Sequence, residues 1–157
     1  MARNATNTLL HNAKKGKNDE FYTQLSDIES ELKHYEKHFK DKIVYCNCDD
    51  PRVSNFFNYF FVNFERLGIK KLITACYKKQ NYDPLNAEES EKGFFLVYSG
   101  EKEEKNKLIK DKSIPFKSDG DFRSDESIEL LKQCDIVVTN PPFSLFREYV
   151  DQLVKYD

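Results

Sequence analysis

The sequence predicts an α/β fold: a Rossmann-like, mostly parallel sheet with helices on both faces, incomplete at its C-terminal side. Two observations carry this. Short apolar runs (Ile43–Cys46, Lys71–Tyr77 and Asp135–Thr139) alternate with stretches whose apolar residues recur every three or four positions, the pattern of strands joined by crossover helices. The chain has 157 residues, 39% hydrophobic and 33% charged, which suits one globular domain with a real core and is too short for two ordinary ones.

Taken in order, residues 1–18 are polar and rich in Asn and Lys, and read as a flexible N-terminal arm ahead of a partial catalytic domain over 19–157. A helix follows Asp19-Glu20-Phe21-Tyr22-Thr23, with Ser26 and Glu29 as a capping box and Ile28, Leu32, Tyr35 and Phe39 on one face. The first strand, Ile43–Cys46, ends at Asn47-Cys48-Asp49-Asp50-Pro51. The segment from Arg52 to Leu67 places Val53, Phe56, Phe57, Phe60, Phe61, Phe64 and Leu67 at helical spacing and closes at Gly68, which reads as a core helix. The second strand comes next. Residues 78–118 read as an elaboration, in which Gly93–Ser99 is a strand and Lys107–Phe116 returns beside it as a hairpin. A helix from Ser124 to Gln133, the strand Asp135–Thr139 and a last helix from Ser144 complete the chain. Ligands of such folds bind at the carboxyl ends of the strands, where three unusual peptides fall: residues 46–51, 119–123 and 140–143.

Charge and cysteines narrow the function. The net charge is −2, with 25 Lys and Arg against 27 Asp and Glu, so an autonomous DNA-binding module, which needs a basic surface, is disfavoured. Cys46, Cys48, Cys76 and Cys134 fit no zinc spacing and read as thiols of a reducing cytoplasm. No signal peptide or membrane-length apolar window is visible, and a cytoplasmic protein is expected. His11, His34 and His38 form no catalytic pattern. Thirteen Phe and nine Tyr leave aromatic surface to spare for a flat ligand.

Asn140-Pro141-Pro142-Phe143 is the sharpest chemical signal, set between a strand and a helix. A residue before proline is driven to an extended conformation, which fixes Asn140. Neither proline carries an N–H, so the turn presents acceptors without competing donors. The Asn140 side-chain oxygen and the Pro141 carbonyl can accept both hydrogens of one amino group, freeing the nitrogen lone pair from its ring to attack a sulfonium methyl. Phe143 can stack on a base flipped out of a duplex. The bland alternative is a rigid strand-to-helix turn.

These residues resemble the amino-methyltransferase superfamily, which carries Asn/Asp/Ser-Pro-Pro-aromatic here. More narrowly, the chain resembles the EcoRI-type adenine-specific DNA methyltransferases, through Asp19–Thr23, Cys48-Asp49-Asp50-Pro51 followed by Ser54-Asn55-Phe56, and Asn140-Pro141-Pro142-Phe143 continuing into Ser144-Leu145-Phe146. The resemblance implies S-adenosylmethionine as cofactor and adenine in DNA as substrate, with Asn140, Pro141, Pro142 and Phe143 catalytic. It implies cofactor contacts from Phe21, Tyr22 and Thr23, and from Asn47, Cys48, Asp49, Asp50 and Pro51. Asp49 and Asp50 read equally as caps of the following helix. Gly120-Asp121-Phe122 resembles the peptide that meets the cofactor adenine, and reads otherwise as an ordinary turn.

The sequence departs from the family pattern twice. No Gly-rich turn follows the first strand, and Ala75-Cys76-Tyr77-Lys78 lacks the acidic residue expected for the ribose. Further strands and a DNA-recognition region are expected beyond Asp157, so the chain reads as an N-terminal part, weakly active or inactive alone, gripping DNA mainly through other regions. An unpaired sheet edge offers a route to a homodimer. The alternatives are methylation of an RNA base or a protein glutamine, and a non-catalytic nucleic-acid-binding or partner fragment.

Overall fold

The computed structural model describes residues 23–77 and 93–156. At its centre the short strand β1 (Ile43–Cys46) lies between β2 (Lys71–Cys76) and β5 (Ile136–Val137). Both pairings are parallel, with Tyr45 opposite Ile73 on one side and Val137 on the other. Beyond β2 the sheet runs antiparallel to β3 (Phe94–Tyr98) and from there to the two-residue β4 (Ile114–Pro115), in the order β4-β3-β2-β1-β5. Only β3 is reversed, so the sheet is mostly parallel as expected. Residues 72–76 of β2 are all buried, as a strand covered on both faces must be.

Two cores hold the helices against the two faces. On one side α1 (Leu25–Leu32), α2 (Asn55–Val62), α3 (Phe64–Leu67) and α4 (Lys105–Lys112) bring Ile28, Phe57, Phe60, Leu67 and Leu108 against Val44, Leu72 and Leu96. On the other, α5 (Asp125–Leu131) and α6 (Phe146–Lys155) pack Leu130, Leu131 and Leu153 against Tyr45, Ile73, Ala75 and Phe116.

Three local expectations are corrected. The Ser26–Glu29 capping box does not form, because α1 starts at Leu25 with Gln24 at its N-cap and no side-chain cap bond. The helix expected across Arg52–Leu67 starts later and breaks once. Ser54 caps α2 by accepting the Phe57 N–H at 3.2 Å, and Asn63 interrupts the run, its amide donating back to the Tyr59 carbonyl at 2.8 Å. Gly68, at φ 66°, then closes α3 while the Ile69 N–H reaches the Phe64 carbonyl. Finally, the return strand expected over Lys107–Phe116 is mostly helix. Residues 105–112 are rich in Lys and bury Leu108, so good helix formers win, and only Ile114–Pro115 pairs with Phe94–Phe95. The predicted arm at 1–18 and the part of the elaboration at 78–92 lie outside the described residues.

Candidate active site at the strand ends

From β1 the chain passes through α2 and α3 to β2 on one side, while β5 flanks the other. The carboxyl ends of β1 and β5 therefore border the switch point of the sheet, the usual ligand crevice of an open α/β fold. Residues 47–51 and 139–143 leave the sheet at this point.

Asp49 joins the two peptides. One carboxylate oxygen accepts the Ser54 hydroxyl at 2.7 Å; the other accepts the Thr139 hydroxyl and the Asn140 N–H, the latter at 3.4 Å. Thr139 in turn accepts the Cys48 N–H at 2.9 Å. The Asp49 main chain is anchored to β2, its N–H donating to the Ala75 carbonyl at 3.0 Å and its carbonyl accepting the Thr74 hydroxyl at 2.6 Å. Only 4% of Asp49 is exposed. Burial pushes its carboxyl up to about 6, against the hydrogen bonds from Thr139, Ser54 and Asn140 that favour the ion. Neither acid caps α2 directly: Ser54 does, and Asp49 braces Ser54.

Asn140 is held at both ends. Its N–H meets Asp49, and its side-chain oxygen accepts the Thr23 hydroxyl at 3.0 Å. Thr23 is fixed to α2 through its carbonyl, which accepts the Asn55 amide at 2.9 Å. Pro141 and Pro142 are half-buried, and Phe143 opens a short 3₁₀ turn (Phe143–Leu145) with 59% of its surface exposed. Phe21 and Tyr22 lie outside the described residues.

The remaining predicted residues gather at the same end. Asn47 is buried and accepts the Tyr149 hydroxyl of α6 at 2.6 Å. Asp50 binds Arg52 in two-pronged fashion, with Nε at 3.0 Å and 3.1 Å from its oxygens and Nη2 at 2.8 Å, and Pro51 is fully buried beside it. Gly120, at φ 81°, tucks against the end of β2, where a Cβ would come within 2.9 Å of the Cys76 carbonyl. Asp121 pairs with Arg123 at 2.8 Å, which holds its carboxyl below the ordinary range, and Arg123 continues to Glu148 of α6. Phe122 is buried edge-on to Tyr149, with ring centres 5.2 Å apart. Tyr77, which follows β2, is 39% exposed.

Sequence reasoning missed Thr139, Thr74 and Tyr149. Thr139 carried a usable signal, a polar residue ending an apolar strand directly before Asn140. Tyr149 read simply as one apolar residue of the last helix, since nothing local marks a partner 102 residues away.

An open sheet with polar side chains gathered around its switch point, closed by an Asn-Pro-Pro-Phe turn, defines a Rossmann-like α/β domain. The chain belongs to the adenine-specific methyltransferase EcoRI family, which it matches over residues 9–157. It is 63% identical over 159 residues to the Type II methyltransferase M.EcoRI of Escherichia coli, an alignment spanning 100% of this chain and 48% of that protein. It is 44% identical to the Type II methyltransferase M.MgeORF184P of Mycoplasma genitalium and 43% identical to M.MpnI of Mycoplasma pneumoniae, each covering 92% of this chain and 40% of the relative. The chain thus spans about half the length, or less, of these relatives. No solved structure gives a significant match. Among the described residues no helix is long and apolar enough to cross a membrane.

Proposed function

We propose that this chain is the cofactor-binding and catalytic part of a DNA adenine methyltransferase, transferring a methyl group from S-adenosylmethionine to the exocyclic amine of adenine. The observation that carries the reading is the fixation of Asn140 at the switch point, its main chain tied to Asp49 and its side-chain oxygen engaged by a hydroxyl.

The residues suit the cofactor. Asp50 and Arg52 set a carboxylate beside a guanidinium at the end of β1, the charge complement of an amino acid's ammonium and carboxylate. Asn47, Cys48, Asp49 and Pro51 complete that end, with Asp121 and Phe122 toward the adenine. When bound, S-adenosylmethionine supplies an electrophilic methyl group on a sulfonium. The Asn140 oxygen and the Pro141 carbonyl accept the two hydrogens of the target amine, drawing its lone pair out of conjugation. An amide oxygen has two acceptor sites, so the Thr23 hydroxyl leaves one for the substrate. The exposed Phe143 ring stacks on the flipped base. No general base is required, because the proton can leave to water after transfer.

DNA is gripped mainly by regions outside this chain, in keeping with its charge of −2. The outer edge of β5 is the place where a further strand or a second copy would pair, and the protein works in the cytoplasm. The test is transfer of labelled methyl from S-adenosylmethionine by the full-length protein to duplex DNA, RNA and a glutamine peptide, followed by nucleoside chromatography. Label in N6-methyladenine from DNA is expected; label only in RNA or peptide, or none, overturns the reading.

A further inference from the structure

Thr23 would be counted as a cofactor contact from its place in the sequence, yet the structure turns its hydroxyl and its carbonyl to other partners. Its hydroxyl donates to the side-chain oxygen of Asn140 at 3.0 Å, across 117 residues of sequence. Its carbonyl accepts the side-chain amide of Asn55 at 2.9 Å, and Asn55 is the first residue of α2, whose cap Ser54 donates to Asp49. Asp49 in turn holds the Asn140 N–H. A closed circuit results. Asp49 grips the main chain of Asn140, Thr23 grips its side chain, and both are referred to the same turn of α2.

We propose that Thr23 is a positioning residue for Asn140, holding the carboxamide in the rotamer that faces the target amine before the base arrives. The proposal rests on the methyltransferase reading. Without the hydroxyl, Asn140 keeps its backbone anchor but its side chain regains rotation about χ1 and χ2, and only part of the population then offers an acceptor to the amine. A side-chain hydrogen bond of this kind contributes modestly in net terms, so its loss predicts about a fivefold to tenfold fall in the rate of the chemical step. Binding of S-adenosylmethionine should be untouched, because the lost group touches Asn140.

The test uses the full-length protein with Thr23→Val, which keeps the shape and removes the hydroxyl, and Thr23→Ser, which keeps the hydroxyl. Single-turnover methylation of duplex DNA should slow about fivefold to tenfold in T23V and return to within about twofold of wild type in T23S, with calorimetric affinity for S-adenosylmethionine unchanged in both. A second readout needs no cofactor. The Asn140 side-chain amide resonances, identified by their loss in N140A, should be distinct in wild type and T23S and move toward averaged random-coil shifts in T23V. Equal single-turnover rates for T23V and wild type, unchanged Asn140 resonances in T23V, or a loss confined to cofactor affinity would each overturn the proposal. Wild-type protein that methylates no adenine overturns the parent reading instead, a result distinguishable from an active wild type with an indifferent T23V.

Discussion

Replacing Asp49 by Asn should change how stability depends on pH, by an amount the structure fixes. The carboxyl is 4% exposed, and burial raises it from an ordinary 3.8 to about 6 although Ser54, Thr139 and Asn140 all donate to it. The folded protein therefore holds this proton more tightly than the unfolded chain does. The stabilising contribution is fully present below pH 3.8, declines as pH rises, and is lost above about 6. At about 1.4 kcal/mol for each pH unit between those values, the total is about 3 kcal/mol, of which about 2 kcal/mol falls between pH 4 and pH 7. Carboxylates held low, such as Asp121 and Glu101, push the other way on acidification, so wild type alone would blur the effect. Subtraction isolates it. Urea denaturation should show the stability of wild type relative to D49N falling by about 2 kcal/mol from pH 4 to pH 7, and the Asp49 carboxyl carbon should titrate near 6 by NMR. A difference constant to within about 0.5 kcal/mol, or a titration midpoint near 4, would refute the reasoning.

Other substitutions probe the same end of the sheet. Tyr149→Phe removes a hydroxyl bound to buried Asn47 at 2.6 Å and should cost about 1–2 kcal/mol in denaturant unfolding. Gly120→Ala forces a Cβ to within 2.9 Å of the Cys76 carbonyl at a φ of 81°, and should lower stability by about 2 kcal/mol or more, visible as a reduced Tm. Phe143→Ala should leave stability within about 0.5 kcal/mol, the ring being 59% exposed, while kcat/KM on DNA falls roughly tenfold to a hundredfold through lost stacking.

Much of the fold was legible because its period signals were strong. Ile43–Cys46 and Lys71–Cys76 are apolar runs with helix-period segments between them, and both faces of the sheet demanded cover. The Asn-Pro-Pro-Phe turn stood out because prolines fix backbone geometry locally. Boundaries were less legible. Ser26 with Glu29 satisfies the capping pattern, yet α1 starts at Leu25. Asn63 gave no warning that its side chain would compete for a helix carbonyl. The alternating charges before Lys105 resemble a hairpin tip, and the Lys-rich helix formers of 105–112 together with burial of Leu108 decide for a helix. Least visible was the bracing of the site. Asp49 meets Thr139 across 90 residues and Thr23 meets Asn140 across 117, distances over which one sequence carries no pairing information.

The account depends on the Asn140 carboxamide as acceptor for the reacting amine. Its most direct test is single-turnover methylation of duplex DNA by the full-length protein carrying Asn140→Ala, with S-adenosylmethionine affinity measured alongside. The expected result is a rate lowered roughly a hundredfold to a thousandfold with cofactor affinity intact. A variant that methylates adenine at the wild-type rate would contradict it.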